Sequence, residues 1–134
     1  MSLTLTAAAH AGRALLTLRN DGPRSLRVAH HVEAGEPHYD WYTVELTGAA
    51  GARTLRFTDD RNEAGLVIAE LPPGARLEDA IDLSAWALRK ANGARPLPPG
   101  DYRMRAFYQV DDVPGVWTGR LESSPVPITI EPQR

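Results

Sequence analysis

Residues 97–108 read Leu-Pro-Pro-Gly-Asp-Tyr-Arg-Met-Arg-Ala-Phe-Tyr, and this stretch decides the fold class. After the Pro-Pro-Gly turn, side chains that alternate between two faces place Tyr102, Met104, Ala106 and Tyr108 on one face of a strand. A tyrosine that follows a tight turn at the start of a late strand is typical of a tyrosine corner. There the hydroxyl binds upstream backbone and joins the two sheets of a sandwich.

The same period-two alternation recurs along most of the chain, and turn-forming residues separate the alternating runs. The predicted strands lie at about residues 3–6, 14–19, 26–29, 43–47, 54–58, 66–71, 76–83, 101–110, 116–122 and 126–131. One short helical turn is predicted between Asp82 and Lys90, with Asp82 or Ser84 as its N-cap. Many short strands with frequent turns predict an all-β, antiparallel β-sandwich in a single domain over residues 1–134.

The alternation also predicts which side chains fill the core between the sheets. Trp86, in the helical turn, is predicted to be buried beneath the long connection that contains it. The other predicted core residues are Leu16, Leu18, Val28, Val44, Leu46, Leu55, Phe57, Tyr102, Met104, Ala106, Ile128 and Ile130.

Composition excludes several classes of protein. The 134 residues include no cysteine, which rules out a disulfide scaffold, a thiolate zinc site and a cysteine nucleophile. A formal net charge of −2 argues against binding to nucleic acid or to an anionic membrane. The first residues have neither a basic segment nor a long apolar segment, so no signal peptide is predicted and a cytoplasmic location is expected.

Residues 97–108, with the pattern Leu-x-Pro-Gly-x-Tyr-x-Met-x-Ala-x-Tyr, resemble the penultimate strand of bacterial immunoglobulin-like and fibronectin-III-like domains. Trp117-Thr118-Gly119 and the last strand, Ile128-Thr129-Ile130, fit the same pattern. The layout of the chain is also similar to that of the bacterial intracellular proteinase inhibitors. The resemblance implies an immunoglobulin-like sandwich from a bacterium, with protease inhibition as one version of its function.

The segment from His30 to Tyr42 carries the largest concentration of chemically active side chains, and it predicts a loop at one end of the sandwich. Imidazole and carboxylate groups suit zinc or copper, so the candidate metal ligands are His30, His31, His38 and Asp40. Their spacing matches no known ligand motif. The alternative is that one histidine packs at the core edge and the others are solvated.

The same segment predicts a surface that recognises another protein, because aromatic rings beside polar groups are typical of binding loops. Strand parity directs Tyr42 inward and leaves Tyr39 and Trp41 on the other side, for binding or for packing on a second face. Val113 and Trp117 are candidate binding residues in the turn at 111–117, provided that both loops lie at the same end.

The favoured function is therefore a non-enzymatic protein-binding module without a cofactor, with a metal-binding protein as the alternative and a structural domain of a larger assembly as the third hypothesis. The chain has no Gly-x-Ser-x-Gly motif and no glycine-rich phosphate loop, so an enzyme is not predicted. Arg103, Arg105 and Phe107 form either an outward basic and aromatic stripe or cross-strand pairs with acidic residues.

Overall fold

The computed structural model describes residues 3–32, 41–49, 51–56, 66–89, 92–111 and 113–132, with backbone alone at 30–32 and 66–67. The described strands are β1 Leu3–His10, β2 Arg13–Asn20, β3 Leu26–Val32, β4 Tyr42–Gly48, β5 Gly51–Arg56, β6 Leu66–Leu71, β7 Arg76–Asp82, β8 Gly100–Val110, β9 Gly119–Glu122 and β10 Val126–Ile130. The single helix described, α1, spans Leu83–Ala87. Within these ranges no helix has the length and apolar character needed to cross a membrane.

The strands form an antiparallel sandwich, as predicted. One sheet has the order β1-β2-β7, and the other has the order β10-β8-β4-β5, with β9 beside the end of β8. Strands β3 and β6 pair with each other as a separate ribbon. Strand β1 lies against β8, β9 and β10, so the first sheet meets the second across a shared core. The protein is therefore an all-β sandwich with one short helix.

The predicted core is confirmed wherever the structure describes it. All the described residues of that prediction are buried. Phe57 lies outside the described residues. Trp86 is also buried, on the inner side of α1. The carboxylate of Asp82 accepts a hydrogen bond from the Ala85 amide at 3.1 Å, so Asp82 is the N-cap that stabilises this short helix.

The tyrosine corner is present at the start of β8. The Tyr102 hydroxyl donates a hydrogen bond to the carbonyl oxygen of Pro98 at 2.5 Å, which closes the turn before the strand. The ring lies against Gly48, where a Cβ atom would come within 2.7 Å of it. Gly48 is therefore needed for a close approach between the end of β4 and Tyr102.

Two local details differ from the strand predictions. Strand β9 begins at Gly119 rather than at residue 116, because the chain adopts a φ of +141° at Gly119 and the Trp117 ring folds back over it. Ala29 is fully buried although alternation with Val28 assigns it to the outer face. The register of β3 against β6 shifts between Ala29 and His31, and such an irregularity breaks strict alternation.

Asn20, at the end of β2, is a fully buried polar residue whose amide satisfies three partners. Its Nδ2 donates to the carbonyls of Arg24 at 2.7 Å and Leu71 at 2.8 Å. Its Oδ1 accepts a hydrogen bond from the Gly22 amide at 3.0 Å. The side chain thus joins the end of β2 to the connection that follows it and to the end of β6.

We expect Asn20→Asp to lower the free energy of unfolding by about 3 kcal/mol or more, because a buried carboxylate would face two carbonyl oxygens. Urea unfolding at neutral pH measures the change. Asp21→Asn is the matched control, since Asp21 makes exposed contacts with Thr4 and Arg19 and should change stability by less than about 1 kcal/mol. Equal losses in the two variants would contradict the role assigned to Asn20.

Candidate functional site

Two of the connections between strands leave the same end of the larger sheet. The start of β4 pairs with the end of β8, with Tyr42 opposite Tyr108. The Gln109 amide also donates to the Trp41 carbonyl at 3.1 Å. Trp41, which leads into β4, and Asp111, which follows β8, therefore lie at the same end of the larger sheet, while residues 33–40 lie outside the described residues.

A third connection, at residues 72–75, lies at the same end. The Gly74 amide donates to the Asn20 carbonyl at 2.7 Å, which places this turn beside the end of β2. The other end of β2 adjoins the turn at Gly12, which lies beside Thr129 of β10 and hence near the start of β8. We call the end formed by Trp41 and by the connections that follow β2, β6 and β8 the loop end.

Stacked and tilted aromatic rings support the loop end from below. The Tyr42 and Tyr108 ring centroids are 5.4 Å apart with a tilt of 54°, and Trp117 stacks on Tyr108 at 5.9 Å. The Tyr108 hydroxyl donates to the Ala29 carbonyl at 2.5 Å, and the Trp117 amide donates to the Arg27 carbonyl at 2.7 Å. These contacts tie β3 to the larger sheet.

Burial raises the pKa of both central phenols. The pKa of Tyr42 lies well above 10.0, first because the side chain is buried and then because the negative charge of Asp79 is close. Burial is also the main cause that raises the pKa of Tyr108, and Asp79 adds to it. Both phenols therefore stay neutral over the physiological range, so Tyr108 keeps its hydrogen bond to Ala29.

The predicted binding residues that the structure describes lie in or against the core. Trp41 is 3% exposed and Val113 is 5% exposed, while Trp117 is half-buried and packs on the core. The prediction that Trp41 lies on the face opposite Tyr42 is wrong, because both belong to one buried cluster. Trp41 precedes the first residue of β4, so strand alternation does not apply to it. Tyr39 lies outside the described residues, and contact of these four residues with a partner stays a prediction.

The structure does not test the proposed metal ligands. His38 and Asp40 lie outside the described residues, and His30 and His31 are described only as backbone in β3. Elsewhere in the described chain, no group of three or more potential ligands is placed to hold a metal ion. The zinc or copper hypothesis therefore stays a prediction.

The outward stripe on β8 makes contacts with its neighbour β9. Arg105 lies 3.9 Å from the Glu122 carboxylate, and the Arg120 guanidinium lies 4.4 Å above the Phe107 ring. Phe107 is only 5% exposed. These contacts agree with the cross-strand alternative, and the cation–π contact with Arg120 is a feature that sequence reasoning missed.

A cationic groove along β5, the edge strand of the larger sheet, is a second feature that the sequence did not reveal. It is lined by residues that include Arg53, Arg56, Asn92 and Arg95. The arginines come from β5 and from the connection after α1, about 40 positions apart in the chain, so no local motif signals that they meet.

Comparison with known proteins assigns no family to this arrangement. No family model matches the chain, and no curated protein matches it. The resemblance to immunoglobulin-like and fibronectin-III-like domains accordingly remains an expectation, while the sandwich and its contacts stand on the structure.

The raised tyrosine pKa values predict a loss of stability in alkali. The folded state holds these phenol protons more tightly than the unfolded chain, so the stability they contribute below pH 10 is lost as the pH rises above 10. Urea unfolding at pH 9 and pH 11 should show this loss. In Tyr108→Phe the free energy of unfolding should decrease less steeply with pH, by about 1 kcal/mol per pH unit.

At pH 7 the same variant should lose about 1–3 kcal/mol, because it leaves the Ala29 carbonyl without its buried donor. Tyr42→Phe should likewise make the alkaline slope shallower. An unchanged slope in both variants would show that neither phenol titrates as described.

Proposed function

We propose that this protein is a non-enzymatic binding module that recognises another protein through its loop end. The observation that carries the proposal is the pairing of Tyr42 with Tyr108, which sets the chain that enters β4 beside the chain that leaves β8. Recognition residues commonly lie on loops that a rigid scaffold positions. The turn at 72–75 extends the same surface.

The aromatic rings beneath the loop end support recognition, because they limit the motion of the connection after β8 that packs on them. Trp117 is held through its ring by Tyr108 and through its amide by Arg27. Loops that are ordered before binding lose less conformational entropy when a partner docks, and this raises affinity. In this proposal Trp41, Val113 and Trp117 hold the loops in place, while exposed neighbours such as Pro114 contact the partner.

A protease is the first class of partner to try. The layout of the sequence is similar to that of the bacterial intracellular proteinase inhibitors. An inhibitor must present a loop that is rigid enough to resist cleavage, and the contacts of Trp117 restrain the connection at 111–118 in this way.

The proposal predicts that a partner depends on the loop end and not on the opposite end. Pro114→Glu places a charge at an exposed position of the loop end, next to Gly115. Pro99→Glu is the matched control, since Pro99 is also exposed and precedes a glycine with positive φ, but it lies before β8 at the other end. Affinity capture from a bacterial lysate, quantified by mass spectrometry, compares the two variants with the parent chain.

We expect proteins that bind the parent chain and Pro99→Glu, and that are lost with Pro114→Glu. The same proteins captured by all three chains would place binding elsewhere on the molecule. No specific capture by any chain would argue against a protein-binding function.

The protease version predicts inhibition of a protease in a stoichiometric titration, with the chain remaining intact on a gel. Pro114→Glu should weaken inhibition by about tenfold or more, which is about 1.4 kcal/mol of binding free energy, whereas Pro99→Glu should not. Rapid cleavage of the chain without inhibition would refute the protease version. The capture experiment would then decide whether the chain binds any other protein through its loop end.

A further inference from the structure

The cationic groove, lined by Arg53, Thr54, Arg56, Asn92, Gly93 and Arg95, has a volume of about 460 Å³. It runs along the outer edge of β5, the last strand of the larger sheet. Every charged residue in its lining is an arginine. Among the described residues, none of these arginines forms a salt bridge with a carboxylate.

Arg53 is fixed in place by neutral acceptors. Its Nη1 donates to the Pro96 carbonyl at 3.2 Å, and its Nη2 donates to the carbonyls of Ala87 at 3.2 Å and Asn92 at 2.9 Å. A guanidinium carries five N–H groups, so donors remain after these bonds are made. The carbonyls orient the group without cancelling its charge.

The other two arginines border the same groove. The Nε of Arg95 lies 3.4 Å from the point where a Cβ of Gly93 would stand, so the side chain folds back over that glycine. Burial and the positive charge of Arg95 both lower the pKa of Arg53, which agrees with the closeness of the two cations. The repulsion between them makes an anion at this place favourable.

Backbone on the β5 side adds a neutral donor. The Arg56 amide points outward from the sheet and donates to Asn92 Oδ1 at 2.8 Å. In an antiparallel ladder, amides two residues apart point in the same direction. The Thr54 amide therefore points to the same outer edge, where it faces the groove.

We propose that this groove binds the phosphate group of a small phosphorylated molecule. Guanidinium groups match phosphate oxygens with paired hydrogen bonds, and a dianion offsets the repulsion among several cations better than a single carboxylate does. The chain as a whole has a net charge of −2, so the attraction comes from this local cluster. The proposal does not rest on the protein-binding function, because the groove is lined by β5 and by residues after α1, and by none of the connections that form the loop end.

The test is an NMR titration of the ¹⁵N-labelled chain with inorganic phosphate and with glucose 6-phosphate at constant ionic strength. Acetate and glucose serve as the carboxylate and the uncharged comparisons. We expect saturable shifts of the Thr54, Arg56 and Gly93 amides with both phosphates, weaker shifts with acetate and none with glucose.

The variants Arg56→Gln and Arg95→Gln remove charges whose side chains make none of the hydrogen bonds described above. Each should weaken phosphate binding by about tenfold. Arg76→Gln is the matched control, because Arg76 is exposed on β7 in the other sheet and its loss changes the net charge equally. Each variant's spectrum reports whether it is folded.

Shifts confined to the groove and lost in the two groove variants would establish the site. The proposal would be overturned by no saturable shift with either phosphate, by equal binding of acetate, or by equal weakening by Arg76→Gln. Phosphate that binds while glucose 6-phosphate does not would show that the groove excludes an attached sugar, which would overturn the assignment to a phosphorylated molecule.

Discussion

The buried amide of Asn20 is the constraint on which the loop end depends. A buried amide must use its donors and its acceptor within the protein, and the partners of Asn20 are backbone groups in segments far apart in the chain. Its backbone adds two bonds, with its carbonyl accepting from Gly74 and its amide donating to Ala75. The end of β2, the connection after it and the turn between β6 and β7 are therefore positioned by a single residue.

Tyr108 serves the same purpose on the other sheet, but with an apolar ring and one hydroxyl. The ribbon of β3 and β6 forms no ladder with either main sheet among the described strands, so it needs another attachment. The bond from Tyr108 to Ala29 and the bond from Trp117 to Arg27 supply that attachment. The connections of the loop end are thus supported by Asn20 on one sheet and by Tyr108 on the other.

Local pattern was sufficient for the features that depend on local physics. Period-two alternation located the core faces of β2, β4, β8 and β10, and the choice between Asp82 and Ser84 as N-cap located the start of α1 to within two residues. Asn20 could be interpreted only as part of a turn, because its bond to Leu71 spans 51 positions. Ala29 is buried where the register of β3 against β6 shifts. Trp41 is buried although it precedes the first residue of β4, where strand alternation does not apply. Those outcomes follow from tertiary packing, which overrides alternation.

The arginine groove also depends on tertiary packing and could not be predicted from the local sequence. It forms a second surface, distinct from the loop end. The arginines are scattered in the sequence, yet the pairing of Arg53 with Leu46 and of Arg56 with Thr43 places two of them along β5, the edge strand of the larger sheet. Because Arg53 is also bonded to the carbonyl of Ala87, at the end of α1, and to that of Asn92 after it, its position depends on the helix and on β5, not on Asn20 or Tyr108. A partner at the loop end and an anion in the groove would therefore contact different parts of the sandwich. Since the two surfaces share none of the supporting contacts described, changes at one should leave the other intact, and each proposed activity can be judged by itself.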